Sequence, residues 1–349
     1  IIAIWLITRD WKKFTPPPLL LPWTAFLAVQ VLSGAANGMS FQILWHLAES
    51  LIIFLVFVAF SETIQNDRQL GDMFHLLAAS GSIIILLWFI QKFFAMSGIN
   101  VSLVLRVGIE QKTSTLYSST LAHPNYFAAY CILLGSIFFG LSVEKVGFKR
   151  LMTTLAGVGT WILLFWLSST GAILSVAIAI TVRGILFRNN FLKISALIGL
   201  MLLTTFIGTN LFPQISPSSI LSLEHNSIET RKYATKIGYI AWKENPLFGS
   251  GPGNFEKDFL RAEKIYTGPR LVLQKQNNPS LLSIRKPGHA FSAHSNYMRH
   301  LVELGIFGLA VFFFLLFNLF FHLWKKLRRN GLSHTYLFLG LLAFAISGC

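Results

Sequence analysis

Long apolar runs dominate this chain and restrict what it can fold into. A helix needs about 20 apolar residues to cross a membrane, and eight runs approach that length: 19–36, 41–60, 73–95, 121–143, 151–167, 171–187, 192–212 and 297–324. Shorter apolar runs at 1–8 and 336–349 are expected to be truncated spans of a longer protein. Because backbone polar groups in lipid must be satisfied within each segment, we predict an all-α, polytopic membrane helix bundle of about ten spans.

The composition excludes an ordinary soluble domain. Hydrophobic residues make up 54% of the chain and charged residues only 12%, against about 25% charged in a typical soluble protein. The 29 Lys and Arg residues outnumber the 14 Asp and Glu residues. In a soluble protein this excess would suggest nucleic acid, but here it predicts membrane topology and no nucleic-acid partner. Cys131 and Cys349 lie in apolar runs and are expected to pack rather than to form a disulfide framework.

The basic residues alternate with the apolar runs. If the KKLRR sequence at 325–329 is cytoplasmic, the segments 183–193, 144–150, 62–72 and 9–13 also lie inside, and each carries Lys or Arg. The short outside turns 37–40 and 168–170 carry neither. This pattern follows the positive-inside rule and therefore supports both the spans and their orientation.

The longest polar stretch, residues 213–293, falls on the extracytoplasmic side. Its eleven basic and six acidic side chains suggest an anionic partner. A helix is predicted over 229–244, with apolar residues at helical spacing and the Asn245–Pro246 step ending it. Residues 246–255 are rich in turn formers, and the rest of the loop, to about residue 288, is expected to be irregular. We therefore predict transmembrane helices in 1–212, a long loop with short helices in 213–295, and a re-entry helix followed by a last helix in 296–349.

The most informative stretch begins where this loop re-enters the membrane, at His294, Ser295 and Asn296. Histidine can act as a general base near neutral pH, whereas Ser295 or Asn296 could instead cap a helix. Gly305 and Gly308 follow about one helical turn apart, a spacing that allows close helix packing. From these residues alone, a reactive site and a capped helix end both remain open.

This stretch resembles the motif shared by O-antigen ligases, which is His, then Asn, Ser or Gln, nine residues, Gly, two residues, Gly. Here His294 and Ser295 are followed by nine residues, Gly305, two residues and Gly308. Arg231, Trp242 and the segment 246–255 are similar to the loop element of the family. Polymerases and protein O-oligosaccharyltransferases of the same superfamily carry similar motifs.

Two helix entries also resemble the family. His123-Pro124-Asn125 is similar to its Pro-Asn entry, and the segment 168–172 is similar to its Ser-Arg-Gly-Ala entry. The arginine of that second entry is taken to bind the donor pyrophosphate, but Thr170 occupies its position here. Another basic residue on the same side, such as Arg106 or Lys112, is then expected to serve, or the donor site differs.

The resemblance implies a membrane glycosyltransferase in the bacterial cytoplasmic (inner) membrane, with the long loop on the periplasmic side. It would move a glycan from an undecaprenyl-diphosphate carrier to a glycan, lipid or protein acceptor. His294 would accept the acceptor proton and Arg231 would bind the diphosphate. The substrate-binding candidates are Ser295, Asn296, Gly249, Gly251, Arg106, Lys112 and Thr170. No cofactor is expected, and the partners are the lipid-linked oligosaccharide donor, the acceptor and membrane lipids.

Neither a phosphate loop nor a metal site is predicted for this chain. The segment 249–253 lacks the Gly-Lys-Ser/Thr ending of a phosphate loop and is interpreted as a turn. A metal site is not predicted, because His289 and His294 do not share a helix face. The outer loops also contain no Asp-x-Asp pair, and Glu256 with Asp258 comes nearest to one. A ligase, a repeat-unit polymerase and a protein O-oligosaccharyltransferase all fit the motifs. A polysaccharide transporter or flippase and a non-enzymatic scaffold are the alternatives from other classes.

Ionisable residues inside predicted spans suggest functional sites. These are His46, Glu49, His75 and Glu303. Glu303 lies four residues after Arg299, so these two side chains could form an ion pair along one helix face.

Overall fold

The computed structural model of this chain describes residues 16–64, 66–96, 124–167, 172–173, 175–179, 232–267, 295–330, 338 and 340–345. These residues are helical apart from turns and helix ends, and no strand occurs among them. The all-α prediction is therefore confirmed for the described part of the chain. The predicted span at 192–212 and the first apolar run lie outside the described residues.

The helices are α1 (Leu20–Ala36), α2 (Phe41–Thr63), α3 (Asp67–Met96), α4 (Pro124–Glu144), α5 (Gly147–Trp166), α6 (232–244), α7 (Phe255–Thr267) and α8 (Asn296–Asn330). Short helical pieces also occur at 172–173, 175–179 and 340–345. The predicted inside segments around 62–72 and 325–329 are largely helical, because α2, α3 and α8 extend beyond their apolar runs.

Four described helices are long and apolar enough to cross a membrane: Phe41–Thr63, Arg68–Phe94, Tyr126–Glu144 and Asn296–Lys326. The apolar helix α1 is shorter, at 17 residues. Large apolar side chains such as Trp45, Ile53 and Phe60 on α2 are more than half exposed, as expected where lipid is the solvent. The total of about ten spans and the extent of the outer loop remain predictions.

The chain divides into two compact units. The first contains Ile1–Thr63 and Ile220–Leu319, and the second contains Ile64–Ser219 and Phe320–Cys349. In the second unit, an added Cβ at Gly135 would overlap the Trp161 ring, and one at Gly157 would lie 3.2 Å from the Phe139 ring. These two glycines let α4 and α5 pack closely around a core of apolar side chains.

Helix α7 corrects the expectation that the chain after residue 255 is irregular. Its apolar residues Phe255, Phe259 and Ala262 repeat at helical spacing and are buried. They pack in one cluster with Ile237 and Ala241 of α6. The predicted helix at 229–244 is confirmed from residue 232 onward.

Candidate functional site

Helix α8 is kinked at Gly305, inside the first unit. Gly305 has φ 68° and ψ −166°, outside the helical region. In an unbroken helix the N–H groups of residues 306 and 307 would bind the carbonyls of residues 302 and 303. The kink releases these four groups. We call residues 245–254, which replace these lost partners, the glycine turn.

Four backbone hydrogen bonds join the kink to the glycine turn. They are Ile306 N to Pro246 O at 2.9 Å, Phe307 N to Leu247 O at 3.4 Å, Ser250 N to Val302 O at 3.0 Å and Gly251 N to Glu303 O at 2.9 Å. Each backbone group that the kink releases thus finds a partner in the turn, as buried backbone requires. The turn is therefore joined to α8 by an exchange of helical hydrogen bonds.

Two glycines permit this close approach of backbone to backbone. A Cβ on Gly305 would overlap the Leu247 carbonyl, and one on Gly249 would lie 2.5 Å from the Glu303 carbonyl oxygen. Gly249 also has a positive φ of 66°. The expected helix-packing role of Gly305 is thereby corrected, because this residue makes the kink. A Cβ on Gly308 would instead overlap the Leu304 side chain of the same helix.

Polar side chains from α1 and its C-terminal turn also bind the glycine turn. The fully buried Ser33 Oγ lies 2.5 Å from the Phe248 carbonyl oxygen and 2.9 Å from that of Glu303. Its single hydroxyl proton can be donated to either oxygen. Asn37 Nδ2 donates to the Gly249 carbonyl at 3.0 Å. Sequence reasoning missed these contacts, although it placed residues 37–40 and the long loop on the same side of the membrane.

Replacing Ser33 by alanine is expected to lower the free energy of unfolding by about 1–3 kcal/mol, because buried carbonyls lose a donor. Chemical unfolding in detergent would measure the change. Thr63→Ala is the matched control, because it removes an exposed hydroxyl that binds only its own helix at Ala59. An equal, small effect of both substitutions would contradict the role given to Ser33.

The buried carboxylate of Glu303 lies at the centre of these contacts. Its Oε1 accepts from Arg299 Nε at 3.0 Å and from Phe255 N at 3.4 Å. Phe255 is the first residue of α7, where the helix dipole favours a negative charge. The predicted pairing of Arg299 with Glu303 is confirmed. The carboxylate also ties α7 to α8, a role that the sequence did not suggest.

A histidine–carboxylate pair lies beside the same turn. His46 Nδ1 lies 2.9 Å from Glu49 Oε2, and Trp45 Nε1 donates to Glu49 Oε1 at 2.7 Å. An added Cβ on Gly253 would overlap the His46 ring. Gln42 Nε2 donates to the Gly253 carbonyl at 2.6 Å. His46 therefore borders the glycine turn, and Glu49 is linked to the turn through His46.

Helices α6 and α7 contact each other through polar side chains as well as through their apolar cluster. Tyr233 Oη donates to Glu263 Oε1 at 2.9 Å. Arg261 binds Glu244 and lies 3.1 Å from Asp258 Oδ1. The Tyr233–Glu263 and Arg261–Glu244 contacts join α6 to α7, the two helices on either side of the glycine turn.

The structure describes four of the nine predicted site residues. Ser295 Oγ accepts from Met298 N at 3.4 Å, so Ser295 caps α8, and Asn296 is the first residue of that helix. The N–H groups of Gly249 and Gly251 bind protein carbonyls, in agreement with a structural turn rather than a phosphate loop. The remaining predictions, His294, Arg231, Arg106, Lys112 and Thr170, lie outside the described residues.

The described residues contain no group of three or more His, Cys, Asp or Glu side chains that could hold a metal ion. The metal-independent reaction expected from the sequence therefore stays a prediction. Glu256 and Asp258, the nearest acidic pair in the sequence, both lie in the first turn of α7.

Part of this chain is similar to a known protein family. Residues 155–313 match the family model described as O-antigen ligase. The matched range includes α6, the glycine turn, α7 and the kink in α8. No curated protein matches the chain.

Proposed function

We propose that this chain, whose residues 155–313 match the O-antigen ligase family model, transfers a glycan from an undecaprenyl-diphosphate carrier to an acceptor. The family match and the four apolar helices of spanning length support a multi-pass membrane protein of the glycosyltransferase type. The observation that supports the proposal is that the matched range contains the full His294–Gly308 motif. The carrier, the reacting residues and the periplasmic location are parts of the proposal.

In the proposed reaction, one bond forms and one bond breaks at the anomeric carbon of the glycan. The acceptor hydroxyl oxygen attacks the anomeric carbon of the glycan, and the bond from that carbon to the diphosphate oxygen breaks. The bonding electron pair leaves with the lipid diphosphate, and the hydroxyl proton passes to His294 acting as general base. Arg231 binds the diphosphate, because a guanidinium pairs bidentately with phosphate oxygens and stabilises the developing charge.

The described residues support this proposal by fixing the start of α8. His294 precedes Ser295, whose side chain caps the helix. The next turn of α8 holds Arg299, and the kink at Gly305 joins this helix to the glycine turn. A general base must be held within hydrogen-bond reach of the proton that it takes. A capped and tethered helix start restricts the backbone directly after the residue that we propose as the general base.

The loop element supports the second role. Arg231 is next in sequence to the first described residue of α6. Helix α6 is packed against α7 through Ile237 and Phe259, both fully buried. A residue that adjoins this packed hairpin would lose less conformational entropy on binding a diphosphate than a residue on a free loop.

The protein reconstituted in liposomes with an undecaprenyl-diphosphate-linked glycan tests the proposal. Wild type is expected to release undecaprenyl diphosphate only when an acceptor is present, and to form the glycosylated acceptor in equal amount. Supplying a lipid, a growing glycan or a peptide in turn separates the ligase from the polymerase and the protein oligosaccharyltransferase. Movement of the intact carrier across the bilayer without its cleavage would replace the proposal with transport.

Arg231→Ala is expected to reduce the rate of release by about 100-fold, since a charge-assisted contact to the transition state is lost. Lys264→Ala is the control, because Lys264 is an exposed cation in the last turn of α7. The same assay would show whether the losses differ. Equal activity of the two variants would remove Arg231 from the mechanism.

Turnover is expected to persist in excess EDTA and without added nucleotide, because the diphosphate linkage itself supplies the driving force. The measurement is the rate of undecaprenyl diphosphate release before and after dialysis against the chelator. Loss of activity that Mg²⁺ or Mn²⁺ restores would show that the metal-free mechanism is wrong.

A further inference from the structure

We propose that Arg299 is a second ligand for the donor diphosphate and that the buried Glu303 carboxylate orients it. This inference rests on the proposed function and adds a residue to it. Arg299 is the basic residue closest along the chain to the His294–Ser295 step, and its N–H binds the Ser295 carbonyl at 3.1 Å. Arg299 therefore lies one helical turn from the capping residue of the motif.

The geometry of the pair leaves the guanidinium partly available. The ion pair uses Nε of Arg299 and Oε1 of Glu303, 3.0 Å apart. The Arg299 side chain also interacts electrostatically with the neighbouring His300. Its side chain is 43% exposed, whereas that of Glu303 is only 6% exposed. One edge of the guanidinium is thus held by a buried group, and its outer nitrogens remain free to form a bidentate pair with phosphate.

Glu303 is suited to this orienting role because it cannot easily move. Its carboxylate also accepts from the Phe255 N–H, and its backbone carbonyl accepts from Gly251 N. The backbone of Glu303 is thereby fixed by the same exchange that forms the kink. A rigid carboxylate lowers the conformational entropy that Arg299 would lose on binding an anion.

Several other cations of the first unit are already engaged. Arg261 contacts both Glu244 and Asp258. Lys236 Nζ lies 4.7 Å from the centre of the Tyr266 ring. Lys243 Nζ lies at the same distance from the ring of Tyr239. Arg299 differs from them, because it combines a buried anchor, an exposed outer edge and closeness in sequence to the motif.

Binding of undecaprenyl diphosphate and undecaprenyl monophosphate to the detergent-solubilised protein tests this inference. Arg299→Gln is expected to raise the Kd of the diphosphate at least about tenfold, the loss typical of a charge-assisted hydrogen bond. The preference for diphosphate over monophosphate should also shrink. Arg299→Lys should recover only part of the loss, because an ammonium group cannot contact Glu303 and pair bidentately with phosphate together.

Glu303→Gln should weaken diphosphate binding in the same direction by releasing the guanidinium. Lys257→Gln is the control, because it removes one charge from an exposed residue of α7. The inference is overturned if Arg299→Gln binds both lipids as wild type does, or if Lys257→Gln loses as much affinity. If wild type is active in glycan transfer in that case, the proposed function stands and only the role of Arg299 falls. If wild type neither transfers glycan nor binds the diphosphate, both fall.

Discussion

Replacing His294 by alanine is expected to lower glycan transfer by about 100- to 10,000-fold, the usual contribution of a general base. The physical reason is that the acceptor hydroxyl is a weak nucleophile until its proton has an acceptor. The affinity for undecaprenyl diphosphate should stay close to that of wild type, since the proton transfer involves the other substrate. Single-turnover rates and separate binding measurements would show the two effects.

His75→Ala serves as the control for this substitution. Although His75 is one of the ionisable residues noted in the predicted spans, it lies in α3 beside segment 62–72, which is predicted to be on the opposite side of the membrane from the long loop; it is exposed, and its Nδ1 lies 2.7 Å from the Gly71 carbonyl of its own helix. The control should retain wild-type turnover. Normal transfer by the His294→Ala variant would contradict the assignment of the base, and the His46–Glu49 pair beside the glycine turn would then be the next candidate.

Replacing Gly305 by alanine is expected to destabilise the first unit by at least about 3 kcal/mol. The backbone of Gly305 occupies a region that is essentially restricted to glycine. This conformation by itself costs an L-residue about 1–3 kcal/mol. The added methyl group would also overlap the Leu247 carbonyl and push the glycine turn away from α8. We expect the midpoint of thermal unfolding in detergent to fall by about 5 °C or more, with loss of transfer activity.

Gly159→Ala is the matched control, because a Cβ at this position in α5 would meet nothing within 4 Å. Alanine favours a helix over glycine by about 1 kcal/mol, so the control should be neutral or slightly stabilised. A Gly305→Ala variant with unchanged stability would show that the kink is not needed to join the turn to α8.

The spans and the motif could be predicted from the sequence because each depends on residues that are near one another in the chain. The apolar runs 41–60 and 297–324 became α2 and α8, since backbone groups that face lipid must find their partners within the protein and a helix supplies most of them locally. The helix at 229–244 followed from local periodicity in the same way. The spacing from His294 to Gly308 led to the family that the comparison of residues 155–313 then supported.

The role of Gly305 could be identified only from the tertiary structure. Within the sequence its spacing from Gly308 suggested packing between helices, whereas its actual partner is the Leu247 carbonyl of the glycine turn. The contacts of Ser33 with Phe248 and Glu303 join positions more than 200 residues apart. Such contacts cannot be predicted from the periodicity of the sequence, because a serine in an apolar helix can bind its own backbone as readily as a distant carbonyl. The sequence by itself therefore determined which apolar segments are helices and which motif they display, although it missed the short helix α7. Only the tertiary structure decided how the motif helix is broken, because the released backbone groups had to find partners in a distant turn.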